Sequence, residues 1–280
     1  MVKNWHIKGG NSLVLGHKSL LMGILNVTPD SFSDGGSYFS PAAALAHAQI
    51  MQSEGADIID IGGESTRPQA VPVSAAEEQR RILPVIAALS EQKPGLPLSV
   101  DTYRAETALA ALRAGAHIIN DVFGLQKDTA MADIIAATGA GLIIMHTGRE
   151  RQKHQDPLAD QHMFFSRSLE IAAKAGIRSE QIVLDPGFGF AKTAQENITL
   201  LRHAAKLQHF GLPLLAGISR KGFLGALSQQ ELPQQRDVAG AAGAVILRLQ
   251  GFSLFRVHNI AVNRQALAVA DALGPAAASA

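Results

Sequence analysis

Polar residues recur at one kind of place in this chain, directly after a short aliphatic run. Asn26 follows "LLMGIL", Asp101 follows "LPLSV", Asn120 and Asp121 follow "HII", Asp185 follows "IVL", and Arg256 and His258 close "LFRVH". Asp101, Asn120 and Asp185 supply acceptors, and the amide adds a donor. They suit a flat heterocycle whose edge presents adjacent N–H groups, because a carboxylate takes two parallel N–H donors in one plane. Lys221, in "GISRKGF", would donate to ring nitrogen or oxygen. Arg256, His258 and Asn26 suit an anion, with a hard cation at the amide oxygen. The set fits a planar, nitrogen-rich ring carrying a phosphate group. Each residue alone has a plainer reading. Asp101 would cap the next helix, His146 after "LIIM" would be a satisfied core histidine, and Arg220-Lys221 would be a solvated pair. Gly187 and Gly189 of "DPGFGF" would allow a turn, and their spacing is not a dinucleotide fingerprint. The repetition across so many segments argues for a site.

Such residues need elements to carry them. The segments "EGADIIDIGG", "AGAHIINDVFG" and "TGAGLIIMHTG" share one pattern, and "AGIRSEQIVLDPG" is a longer version. In each, a glycine (Gly55, Gly115, Gly139, Gly176) is placed to end a helix in the left-handed conformation. The aliphatic runs are too short for helices and suit parallel strands covered on both faces. Strands are expected near 20–26, 57–62, 97–101, 117–121, 141–146, 181–185, 213–218 and 253–258. Helices are expected near 41–54, 75–89, 104–114, 128–138, 160–175, 194–208, 236–250 and 260–273. Ser40-Pro41 reads as a helix start, and Ser74/Glu77 and Thr193/Glu196 read as capping boxes. The alternation predicts a (β/α)8 TIM barrel, in which chemistry belongs at the C-terminal ends of the strands. It is expected to form a single domain over 1–280, with an N-terminal hairpin in 1–19 and a flexible tail at 274–280.

Composition narrows the partners. The chain has 280 residues, 47% hydrophobic and 18% charged, so a large core is available. A formal charge of +1 gives no reason to expect nucleic acid. The absence of cysteine excludes disulfides, thiolate zinc sites and thiol nucleophiles. No charge-free apolar stretch is long enough for a membrane span, and "MVKNWHIKGG" lacks a signal core, so a cytoplasmic location is expected.

"MGILNVTPDSFSDGG", "DIGGESTRP", "SVDT", "INDV", "LDPGFGFAKT", "ISRKGFLG" and "FRVH" together resemble, in order, the motifs of the dihydropteroate synthase family. The resemblance runs from about residue 20 to the end. It implies a TIM barrel, usually a homodimer, and an alkyl/aryl transferase of folate biosynthesis that uses Mg2+. The reaction would join (7,8-dihydropterin-6-yl)methyl diphosphate to 4-aminobenzoate, giving 7,8-dihydropteroate and diphosphate; sulfonamides would inhibit it. By motif, Asn26 would help hold Mg2+, and Asp101, Asn120, Asp185 and Lys221 would hold the pterin near Met145, Phe190 and Gly217. Thr66, Arg67, Ser219 and Arg220 would frame the aminobenzoate and anion region, and Asn26, Arg256 and His258 the diphosphate. The long polar loop after Asn26 would close over the substrates, bringing Phe32 and Asp34 to the site. The chain departs from the family pattern in its fifth loop, at Phe123, and at Asn259, where an acid is common. Pterin-binding methyltransferase barrels share the pterin-holding acids and amide but need neither "NVTPDSFSDGG" nor "RVH".

Overall fold

The computed structural model describes residues 3–28, 41–65, 71–92 and 95–273. It opens with an antiparallel hairpin, β1 (Lys3–His6) and β2 (Ser12–Leu15). Eight parallel strands follow among the described residues: β3 (Leu20–Asn26), β4 (Ile58–Gly62), β5 (Leu98–Asp101), β6 (Ile118–Asp121), β7 (Gly141–Met145), β8 (Ile182–Asp185), β9 (Leu215–Ala216) and β10 (Leu254–Val257). Their order is β8-β7-β6-β5-β4-β3-β10-β9. A parallel bridge between Leu184 and Leu214 joins the two ends, so the sheet closes into the expected (β/α)8 barrel.

The helices are α1 (Pro41–Ser53), α2 (Ala75–Ser90), α3 (Ala105–Arg113), α4 (Met131–Thr138), α5 (Pro157–Lys174), α6 (Ala194–His203), α7 (Gly222–Ser228), α8 (Asp237–Leu249) and α9 (Ile260–Leu273). Gly55, Gly115, Gly139 and Gly176 all have positive φ, as the repeat requires. Thr193 and Glu196 form the full capping box. Ser74 accepts from Glu77 N–H, but the Glu77 carboxylate turns to Arg80 and Arg81 instead of completing the box. Differences from the expected boundaries have local causes. Helix α5 begins three residues early because Asp156 caps it ahead of Pro157. Helix α4 begins at Met131, and Asp128 stays outside it, its carboxylate accepting the N–H groups of Ala130 and of Ala105, the first residue of α3. The short α7, unexpected from the sequence, buries Phe223 and Leu224. The Ser40 cap lies outside the described residues, as does the tail.

Strand periodicity sorts the apolar residues into two sets. Leu21, Ile59, Val100, Ile119, Ile144, Leu184 and Phe255 pack in the cluster that contains the helices' buried faces. The alternate positions Leu20, Met22, Ile58, Ile118, Ile143, Val183, Leu215 and Leu254 form a second cluster with Trp5, Ile7 and Leu15 of the hairpin. That second set fills the barrel interior, and the hairpin seals its lower end. Trp5 is fully buried and donates Nε1–H to Gln181 O at 2.8 Å. Among the described residues, no helix is long and apolar enough to cross a membrane.

Candidate active site

Continue the interior rows two to four residues toward the strands' C-terminal ends and most of the side chains become polar. Asn26, Asp60, Asp101, Asn120, Asp185, Arg256 and His258 all share the parity of the interior set, with Met145 and Gly217 among them. The pleat therefore brings these residues into one cup above the apolar plug.

The floor of the cup is charged. Arg256 Nε donates to Asp60 Oδ2 at 2.6 Å and Nη2 donates to Asp101 Oδ2 at 3.0 Å. Asn120 Nδ2 donates to Asp60 Oδ2 at 3.4 Å, while Asn120 Oδ1 and Asp60 Oδ1 are buried without a hydrogen-bond partner among the described residues. Asp185 Oδ1 accepts Gly187 N–H at 2.8 Å. Its Oδ2 faces Gly217, where a Cβ would lie 3.3 Å away. Asp101 makes no helix cap, and α3 is entered through Thr102 and Asp128. Asp121 closes the turn after β6 instead, accepting the N–H groups of Phe123 and Leu125.

Burial dominates the electrostatics. It pushes the Asp101 carboxyl up to about 7 against the pull of Arg256, and the Asp185 carboxyl up to about 6 against Gly187 N–H and Lys221. It lowers the Lys221 ammonium to about 8, helped by Arg256 and opposed by Asp185. Burial works against the Arg256 charge, but Asp60 and Asp101 outweigh it and raise its pKa. Lys221 Nζ stands 4.4 Å from the Phe190 ring centroid, and Arg149 stands 4.8 Å from the same ring. Phe190, Met145, Val122 and Phe123 form an apolar wall on this side, with Tyr103 edge-on to Phe123 at 5.1 Å. Phe123, the departure noted above, is thus part of the wall.

The anion side has more internal partners than the sequence suggests. Ser219 Oγ lies 3.0 Å from His258 Nδ1 and accepts the His258 backbone N–H. Burial, then Arg220, Arg256 and Lys221, lower His258 to about 3, so it meets an anion as a neutral N–H donor. Arg220 adopts φ +59 and pairs with Asp237 through two bonds of 2.7 and 2.9 Å. Asn259 donates to the same Asp237, so its amide joins a network where an acid would repel. Phe32, Asp34, Thr66 and Arg67 lie outside the described residues.

A flat donor-edged ring with an anionic arm matches this cup, and comparison with known proteins agrees. The family model described as pterin binding enzyme matches residues 22–258. Dihydropteroate synthase of Synechocystis is 44% identical, covering 92% of this chain and 91% of that protein. The chain belongs to the dihydropteroate synthase family. Its members are transferases of folate synthesis, and this chain is one. Xanthomonas albilineans dihydropteroate synthase, solved with 4-aminobenzoic acid, superposes with a TM-score of 0.91 at 42% identity, covering 97% of this chain and 98% of that one. Yersinia pestis dihydropteroate synthase, solved with a sulfonamide drug, gives 0.88 at 42% identity, with 96% and 98% covered.

Within and beside the family motifs stand residues that the sequence reading did not single out. Asp60 is one; its signal was an acid inside "IIDIG", on the parity of the barrel interior. Lys192 is another. Its Nζ donates to Gly187 O at 2.7 Å and reaches His146 O and Phe190 O, tying the loop after β8 to the end of β7. Arg104 joins Glu64 at 2.7 Å to Glu78 at 2.9 Å and donates to Val73 O, holding the start of the β4–α2 connection against its end. His146 has the opposite parity and lies outside the cup, packed on Phe164 and bonded to Asp160.

For a hard cation, the donor set is small but suitable. Asn26 stands at the rim with Oδ1 3.5 Å from where a Gly62 Cβ would lie, and its side chain has no hydrogen bond to a described residue. No group of three or more His, Cys, Asp or Glu that would hold a metal occurs among the described residues. Mg2+ is commonly held by one or two protein oxygens plus water and substrate phosphates, so the single amide oxygen fits it.

Proposed function

We propose that this chain condenses (7,8-dihydropterin-6-yl)methyl diphosphate with 4-aminobenzoate, releasing diphosphate and forming 7,8-dihydropteroate. The observation that carries this reading is the buried acceptor set of Asp101, Asn120 and Asp185 facing Lys221 in the same cup as His258 and Arg256. Asp185 Oδ2 accepts from the ring's N–H edge, and Lys221 donates to a ring acceptor. Phe190 and Met145 cover the ring face. His258 and Asn26 receive the diphosphate, with Arg256 donating from the floor. Ser219 and Arg220, with Thr66 and Arg67 of the neighbouring loop, frame the aminobenzoate.

The C–O bond to the leaving diphosphate breaks with its electron pair going to oxygen. The positive charge left on the methylene spreads into the electron-rich pterin. The arylamine lone pair then forms the C–N bond, and the amine loses a proton. Preorganised N–H donors at His258 and Arg256 meet the charge growing on the leaving oxygen; removing one such contact typically costs about 10²–10³ in rate. Mg2+, held in part by Asn26, would supply further neutralisation of the diphosphate. Asp34 and Phe32 are proposed to close over the reacting carbon and exclude water. The chain is further proposed to work in the cytoplasm as a homodimer of single-domain subunits, on the strength of family kinship.

The test supplies both substrates with Mg2+ and follows diphosphate release. Release that requires the amine supports the reading; pterin binding without turnover marks a silent relative and defeats it. Arg256→Gln is expected to lose rate about 100-fold in protein that still folds, with a lowered melting temperature because Asp60 and Asp101 lose the guanidinium that pairs them. Unchanged turnover would remove Arg256 from the mechanism.

A further inference from the structure

Strand β4 reads Ile58, Ile59, Asp60, Ile61, Gly62, and every one of these residues is buried. Asp60 has no exposed surface. A lone carboxylate there would cost several kcal/mol, so its partner carries a large share of its stability. That partner comes from the other side of β3. Asp60 pairs in register with Ile24, and Arg256 pairs with Met22, so the Arg256 side chain crosses β3 to reach Asp60. Asp60 accepts from Nε and Asp101 from Nη2. A guanidinium is rigid and planar, so two carboxylates gripping different nitrogens fix both its position and its plane. Arg256 Nη1 is left without a hydrogen bond to a described residue.

We propose that Asp60 is a positioning residue for the reaction: with Asp101 it occupies two nitrogens of Arg256 and holds Nη1 free, aimed into the cup, to donate to the pterin substrate. The role explains why an acid interrupts an isoleucine strand at this height. With Asp101 as the sole anchor, the guanidinium would pivot about one bond and lose the alignment on which substrate contact depends. The proposal rests on the function proposed above.

The test is a cycle of Asp60→Asn, Arg256→Gln and the double variant, read as kcat/KM for pterin diphosphate, KM for 4-aminobenzoate and melting temperature. Asp60→Asn is expected to lower kcat/KM for pterin diphosphate by about 10–100-fold, with KM for 4-aminobenzoate within about twofold of wild type. Added to Arg256→Gln, it is expected to change kcat/KM by less than about threefold, because its effect passes through the arginine. Losses that multiply, or a wild-type kcat/KM in Asp60→Asn, would overturn the proposal. Asp60→Ser, which leaves room for water beside Nε, is the second variant. If neither Asp60 variant folds while Arg256→Gln does, Asp60 serves the barrel alone and the proposal falls. Wild-type protein without amine-dependent diphosphate release would defeat the proposed function and this role with it; wild-type turnover with multiplying losses defeats only the role of Asp60.

Discussion

Two titrations bracket ring recognition. Asp185 must be a carboxylate to accept two N–H groups, and Lys221 donates more strongly as an ammonium than as a neutral amine. In the folded protein burial raises the first to about 6 and lowers the second to about 8. As pH falls through about 6, Asp185 gains a proton, an O–H faces an N–H, and pterin affinity drops; Asp101, raised to about 7, steepens that limb. As pH rises through about 8, Lys221 loses its charge and affinity drops again. Affinity is therefore expected to be bell-shaped, with its maximum between the two values. On the acid limb binding stabilises the carboxylates and releases protons, so calorimetric heats should depend on the buffer's ionisation enthalpy. A flat affinity profile would remove these groups from ring recognition. The same scale shows where reading from the sequence was incomplete. Asp101, Asn120 and Asp185 were legible because each ends an aliphatic run. The lowered pKa of His258 was not, because it depends first on burial in the closed barrel, then on Arg220 and Lys221 from another segment and on Arg256 two residues away.

At the scale of elements, strand register decides what each position is for. Gly217 and Gly187 illustrate the difference. A Cβ at Gly217 would lie 3.3 Å from Asp185 Oδ2 and touch little else. Gly217→Ala is expected to keep stability within about 1 kcal/mol while weakening pterin binding about tenfold, since it crowds the one free oxygen. Equal pterin affinity in both proteins would show that Asp185 Oδ2 is not the acceptor. At Gly187, φ is +63 and a Cβ would lie 1.9 Å from His146 O, so Gly187→Ala forces the loop after β8 to move. Its expected signature is a lowered melting temperature as well as lost binding. Helix positions were legible from caps and glycines, but α7 was not. Its seven residues offer too short a pattern to show periodicity, and it forms because the barrel wall gives Phe223 and Leu224 somewhere to pack.

At the scale of the whole molecule, the barrel separates stability from chemistry along its axis. The hairpin's Trp5, Ile7 and Leu15 complete the interior apolar layer at one end, and the cup occupies the other. Trp5→Ala is expected to cost about 3–5 kcal/mol, measured by denaturant unfolding, while the folded fraction keeps its kcat. A proportionate loss of kcat in fully folded protein would show that the plug also shapes the cup. Closure itself explains why distant segments meet: the Leu184–Leu214 bridge brings β8 beside the start of β9, and β10 pairs with β3.

The sequence alone determined which residues could face one another. Parity along each strand is a local property, set by the pleat, and the motif residues carry it wherever the barrel places them. It also determined the family, since the motifs are contiguous strings. Only the tertiary structure decided the partners: Arg256 with Asp60 and Asp101, Ser219 with His258, Arg220 with Asp237. A charge pairs with whatever lies within a few ångströms, and in a closed barrel that neighbour comes from another turn of the chain.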